Sequence, residues 1–211
     1  MGQTLAEAAR QDKKAIVLFR RPGTGPDELE KSFDSIKKEL ETDALFLAVD
    51  ANSPAETAAA RKYEVESLTE SALLILSPQG TVLAGYTKPP EPAEARKVIV
   101  SKALAAYTDA IEKFLLVFVV VGKPGTKDFD KAQEMAKTCA AEVPDGKGKV
   151  ITVDGSDPAE AAVLERFSIG PREPKPITCV FGQGNALGKL EGVFSAADVK
   201  KLLDAASCGS G

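Results

Sequence analysis

The stretch Val49-Asp50-Ala51-Asn52-Ser53-Pro54-Ala55-Glu56 returns later in the chain as Val153-Asp154-Gly155-Ser156-Asp157-Pro158-Ala159-Glu160. The two lie 104 positions apart, and the same offset carries Tyr63 onto Phe167, Val65 onto Ile169 and Gln79-Gly80 onto Gln183-Gly184. Likeness at one fixed spacing over such a span marks an internal duplication. The chain has 211 residues, so each copy is a small domain; the boundary suggested by the pattern gives domains at 1–112 and 113–211.

Working outward from the repeat, both copies show the same order of elements. In the first, Ala15 to Phe19 is an apolar run of strand length, and Leu29, Phe33, Ile36 and Leu40 follow at helical spacing. A strand at Leu45 to Val49, a helix from Pro54 to about Tyr63, and a strand pair, Ala72 to Leu76 and Thr81 to Tyr86, come next. A long helix from about Ala93 closes the copy. In the second, Leu115 to Val121 is the first strand, and Phe129, Ala132, Ala136, Ala140 and Val143 line the face of a helix. Lys149 to Val153, Pro158 to Phe167, Ile177 to Phe181 with Ala186 to Glu191, and Ser195 to Ala206 repeat the remainder. Strand–helix–strand followed by hairpin–helix predicts an α/β fold, with each domain a mixed sheet covered by helices on both faces. Val98, Ile99, Ala103, Leu104, Tyr107 and Ile111 predict a helix running almost into Phe114, a helical connection between the copies.

The repeated octapeptide reads as a helix start. Ser53-Pro54-Ala55-Glu56 and Asp157-Pro158-Ala159-Glu160 are capping boxes with Pro at the first helical position. The shared motif is therefore a signal of fold rather than of an active site.

Composition narrows the function classes. Hydrophobic residues are 44% and charged residues 27% of the chain, with a formal net charge of -4, as in an ordinary globular protein. Scattered lysines on a mildly acidic chain do not make a nucleic-acid surface. No apolar run approaches the roughly 20 residues of a membrane span. Met1 to Arg10 has no leader architecture, and the compartment is left open between cytoplasmic and exported with a leader removed. With 0 histidines, and with Cys139, Cys179 and Cys208 an odd set that forms neither a C-x-x-C motif nor a disulfide framework, no metal and no cofactor is expected.

The residues resemble the thioredoxin superfamily across nearly the whole chain. Phe19 ends the first strand, and Thr24-Gly25-Pro26-Asp27 stands where that family carries Cys-Gly-Pro-Cys. The central Gly-Pro is kept and both cysteine positions are replaced. In the second copy Lys123-Pro124-Gly125-Thr126-Lys127-Asp128 fills the corresponding loop, again without cysteine. Pro176-Ile177-Thr178-Cys179-Val180-Phe181, followed by Gly184, resembles the family's cis-proline strand and turn, with Pro176 as the cis-proline candidate. The repeat offset puts Ala72 opposite Pro176 in the first copy, and a cis bond before alanine costs about 2.5–4 kcal/mol.

Dithiol exchange needs a thiolate attacker and a neighbouring resolving thiol. Thr24 and Asp27 supply neither, so the degenerate positions Thr24, Gly25, Pro26 and Asp27 predict a redox-inactive domain, and the second loop predicts the same. Gly23-Thr24-Gly25-Pro26 behind Arg20-Arg21 reads either as an anion site at a helix start or as a plain helix cap. Cys179 and Cys139 read as buried structural thiols, with a bridge between them left open. Cys208, in the tail Ser207-Cys208-Gly209-Ser210-Gly211, is the candidate redox thiol.

What the resemblance implies is a non-catalytic binding or scaffold protein, similar in use to the non-catalytic domains of protein disulfide isomerases. It would hold polypeptide clients or a partner protein. The alternative is an atypical thiol-disulfide protein working through Cys208; a third reading is a structural subunit whose domains pair within a larger assembly, with edge strands free to pair between domains or between chains.

Overall fold

The computed structural model describes residues 1–21, 28–170 and 174–208, with side chains to residue 205. The chain divides into two compact units, Met1–Val100 and Ser101–Gly211. The first runs α1 (Gly2–Gln11), β1 (Lys14–Arg20), α2 (Glu28–Leu40), β2 (Ala44–Asp50), α3 (Thr57–Lys62), β3 (Ala72–Leu76), β4 (Val82–Tyr86) and α4 (Pro92–Val100). The second repeats the order with α5 (Lys102–Ile111), β5 (Leu116–Gly122), α6 (Lys127–Ala141), β6 (Gly148–Asp154), α7 (Ala161–Arg166), β7 (Ile177–Gly182), β8 (Asn185–Glu191) and α8 (Ala196–Cys208).

The sheets are four-stranded, β2-β1-β3-β4 and β6-β5-β7-β8. Strands β1 and β5 pair parallel with β2 and β6 on one side, and antiparallel with β3 and β7 on the other. Helices cover both faces of such a central strand, so it must be apolar on both sides. Ala15 to Phe19 and Leu116 to Val121 are accordingly buried without interruption. In the first unit Val17, Phe19, Leu74 and Leu76 face the side where Leu5 and Ala8 of α1 and Ala60 of α3 pack. The helical spacing read in α2 is the one that buries Leu29, Phe33, Ile36 and Leu40. In the second unit Phe118, Val120 and Val180 pack with Phe129, Ala136 and Cys139 of α6 and Val199 of α8.

Two expectations are corrected. The helix leaving the first copy does not run on to Phe114. It stops at Val100, and Ser101 is extended (φ −68°, ψ 112°) before α5 begins. Ser101 Oγ accepts from the Leu104 amide at 3.0 Å, the geometry of an N-cap. Helix α5 packs on β5 and β6, so it belongs to the second unit and stands where α1 stands in the first. A boundary at 112 falls too late because two short helices in sequence mimic one long apolar stripe.

The second correction concerns the glutamate of the repeated motif. Asp50 and Asp154 do turn the chain after the strand, their Oδ1 atoms accepting from the Asn52 and Ser156 amides at 2.9 Å. Asp157 Oδ1 likewise accepts from the Ala159 amide at 2.9 Å. Glu160, however, does not close a capping box on its own helix. Its buried carboxylate accepts from Ser101 Oγ at 2.6 Å and from the Lys102 and Ala103 amides at 3.2–3.3 Å, at the start of α5. In the first unit Glu56 Oε1 takes the Met1 ammonium at 3.2 Å, at the start of α1. The motif ties the leading helix of each unit to the turn after its second strand. A carboxylate there satisfies amides that a helix leaves without intrahelical partners and complements the positive end of the helix.

Replacing Glu160 should therefore loosen α5. Glu160→Ala leaves buried donors without an acceptor and is expected to cost about 2 kcal/mol, with Glu160→Gln costing less. Urea unfolding combined with amide exchange at Ala103 and Leu104 reads this directly; unchanged exchange in Glu160→Ala would refute the anchoring role.

Candidate functional site

Positions Thr24, Gly25, Pro26 and Asp27, with Pro22 and Gly23, lie outside the described residues. Their flanks are described, and they bear on the anion-site reading. The Arg20 guanidinium pairs with Glu30 Oε1 at 2.5 Å. Arg21 Nη1 donates to Asn52 Oδ1 at 2.9 Å, and Nη2 donates to the carbonyls of Val65 and Glu66 at 2.9 and 2.7 Å. Both cations are thus engaged by protein groups, and Arg21 braces the segment that leads from α3 into β3. The sequence shows two adjacent cations beside a glycine-rich loop; the partners that occupy them come from 10 to 45 residues away.

In the second unit the corresponding loop is described. Gly125 takes a positive φ of 77°, and Thr126 Oγ1 donates to the Lys123 carbonyl at 2.9 Å. The hydroxyl closes its own turn and makes no side-chain cap to α6. Asp128 and Asp130 fall in the first turn, where their charge suits the helix end. A hydroxyl committed to a carbonyl in this way is no activated nucleophile, which would have to donate to a base instead.

The Pro176 expectation is corrected as well. No peptide bond among the described residues is cis, so Pro176 is trans. Strand pairing explains why the motif misleads. Ala72 lies opposite Phe19 in the first sheet, whereas Ile177, not Pro176, lies opposite the matching Val121 in the second. Pro176 therefore corresponds to Ser71, one step ahead of the strand, where no ladder amide is needed. There its ring lies against Gly122: a Cβ on that glycine would come within 3.2 Å of Pro176 Cβ and 2.8 Å of Phe129.

Cys139 and Cys179 are free and buried. Cys139 shares the cluster of Phe118, Val120 and Val180, under α6 and α8. Cys179 precedes Val180 in the same strand and so projects from the opposite face. There it joins Tyr107, Phe167 and Phe181. The sheet separates the two thiols, so no bridge forms between them. Burial pushes the Cys179 thiol up to about 11, although Lys189 pulls the other way. Burial, with Glu142 nearby, also raises Cys139 above its ordinary value. Both are protonated at neutral pH. The backbone of Cys208 forms the last residue of α8 instead of a free tail, and its side chain lies outside the described residues.

One feature carries almost no sequence signal. Tyr107, Phe167 and Phe181 form a ring cluster with centroids 4.8–5.4 Å apart, and beside it a cavity of about 400 Å³ opens under Arg166 and Lys189. The contributing residues come from separate elements, and only Phe167 stands out in the sequence, as the partner of Tyr63 in the repeat.

No family model matches the sequence, and no curated protein does either. Solved structures align with the chain. The first two thioredoxin domains of Saccharomyces cerevisiae Eps1p align with 96% of this chain and 95% of their own, at 11% identity and a TM-score of 0.38. The N-terminal domain of alkylhydroperoxide reductase AhpF from Enterococcus faecalis aligns over 95% and 96%, at 13% identity and a TM-score of 0.33. Plasmodium falciparum thioredoxin covers 50% of this chain and 94% of its own, at 19% identity and a TM-score of 0.37. The chain is two α/β units in tandem, each a four-stranded mixed sheet with helices. Among the described residues no helix is long and apolar enough to cross a membrane.

The thiol environments give a pH prediction. In a Cys208→Ser background, Cys139 and Cys179 should react with a disulfide reagent at pH 7.5 only after denaturation. Because the folded value of Cys179 is raised, its share of stability is complete below about 8.5, the unfolded thiol value, and is lost as pH rises toward about 11. Melting temperature should fall more steeply across that window in the parent than in Cys179→Val. Parallel curves would refute the assignment.

Proposed function

We propose that the chain is a non-catalytic binding protein whose thioredoxin-like domains hold a polypeptide or a partner protein. The observation that carries the reading is the placing of Cys139 and Cys179. They are buried on opposite faces of one sheet, and both thiols are held protonated. Exchange needs an accessible thiolate with a second thiol in reach. The loop Lys123–Asp128 offers a hydroxyl already bound to a carbonyl. The strands β4 and β8, one at an edge of each sheet, offer contacts that require no chemistry.

The test has two arms. With insulin and dithiothreitol, the purified chain should leave the rate of disulfide reduction at its uncatalysed level. With a reduced, unfolded polypeptide it should give a saturable complex by cross-linking and light scattering. Turnover that disappears in Cys208→Ser would replace this reading with thiol exchange through Cys208. Neither turnover nor a complex would refute client holding.

A further inference from the structure

The cavity of the second unit has a divided character. Its floor is made by Tyr107, Phe167 and Phe181 with the Cys179 thiol, all buried. Its rim carries two cations. Arg166 sits with its guanidinium carbon 5.7 Å from the centre of the Tyr107 ring. The Lys189 ammonium is held by the carbonyl oxygens of Phe167 and Ser168, so its charge is fixed over the opening. Among the described residues no Asp or Glu lines the cavity, although the chain as a whole carries a formal net charge of -4.

The equivalent place in the first unit is built from different side chains. Val17 pairs with Leu74 and Leu74 with Gly85; in the second unit Val119 pairs with Cys179 and Cys179 with Lys189. Leu74 Cδ2 comes within 3.1 Å of where a Cβ on Gly85 would stand. Tyr63, the partner of Phe167, reaches across to donate its hydroxyl to the Gly80 carbonyl at 3.1 Å. The second unit thus has a thiol for a leucine, a phenyl ring for a tethered tyrosine, and a lysine for a glycine. The first two changes take atoms from the floor, and the third adds a positive charge at the rim of the cavity. Its volume of about 400 Å³ falls in the range of small-ligand sites, roughly 300–1,000 Å³.

We propose that this cavity binds a small aromatic carboxylate, its ring against Tyr107, Phe167 and Phe181 and its carboxylate between Arg166 and Lys189. Aromatic rings pack favourably in edge or tilted geometry, and a carboxylate gains charge-assisted hydrogen bonds from both cations. The site is independent of the polypeptide reading, and either can fail without the other.

The experiment uses the full chain and 4-phenylbutyrate, titrated by calorimetry and by NMR of the Ala186 and Leu187 methyl groups, with 4-phenylbutyramide as the uncharged counterpart. Saturable one-to-one binding is expected, with shifts at those methyls. Arg166→Gln and Lys189→Gln should each weaken it about tenfold or more, the loss of one charge-assisted contact, and the amide, which loses both, at least as much. Cys179→Leu, which installs the residue of the first unit, should abolish binding. Ala186→Leu, at the cavity's exposed lip, serves the same purpose should Cys179→Leu not fold. Absence of saturation, equal affinity for the amide, shifts confined to other residues, or undiminished binding in both filled variants would each overturn the proposal.

Discussion

Each unit hangs on one strand that has a neighbour on either side and helices over both faces. Because β1 and β5 pair with a neighbour on each side, they cannot sit at an edge, and their residues are buried on both faces. Alternate residues then belong to different cores: Phe118 and Val120 to one, Val117 and Val119 to the other. Cys139 joins the first set, while Cys179, paired with Val119, belongs to the second. The separation of the thiols is therefore a consequence of strand parity. A register slip of one residue would be needed to bring them to the same side, and it would turn every apolar side chain of β7 around with them.

That same parity explains where the sequence was legible and where it was not. Apolar runs and helical spacing located the strands and the core faces of α2 and α6, because burial acts on each residue locally. The repeat located equivalent turns, because Asp50 and Asp154 bond to amides two residues on. What escaped were relations between distant segments. Glu160 reads as half of a local capping box, yet its carboxylate serves donors 57 to 59 residues earlier. Pro176 aligns with Ala72 by a fixed offset, but the ladder moves the match to Ser71. Bulges at Ile75/Leu76 and Val180/Phe181 mark where each hairpin departs from even pairing. Ser101 hides the break between α4 and α5 because both helices bury an apolar stripe.

The loop after β1 was legible in a different sense. Residue identity alone says that a threonine and an aspartate do no dithiol chemistry. The geometry adds that Arg20 and Arg21 are occupied by Glu30 and by loop carbonyls. A cation already holding several acceptors would have to give them up to take an anion, and Arg21 would release the segment before β3 in doing so. Lys189 stands in contrast: it lines an open space, and an ammonium with two carbonyl acceptors keeps a third donor for a ligand.

Comparison of the copies separates scaffold from site. Where the units agree, the shared residues serve the fold. Val49 and Val153 are buried, the aspartates turn the chain, and Glu56 and Glu160 hold a helix start. Such positions explain why both halves fold alike and are silent on what either binds. Function has to be sought where equivalent positions solve the same packing problem differently. Leu74 over Gly85 closes one sheet face with carbon; Cys179 beside Lys189 leaves the other open and charged. Filling such a hollow with a leucine would gain apolar contact. Keeping it open under two cations forgoes that stabilisation, and a bound anion with an apolar body restores it from outside the chain.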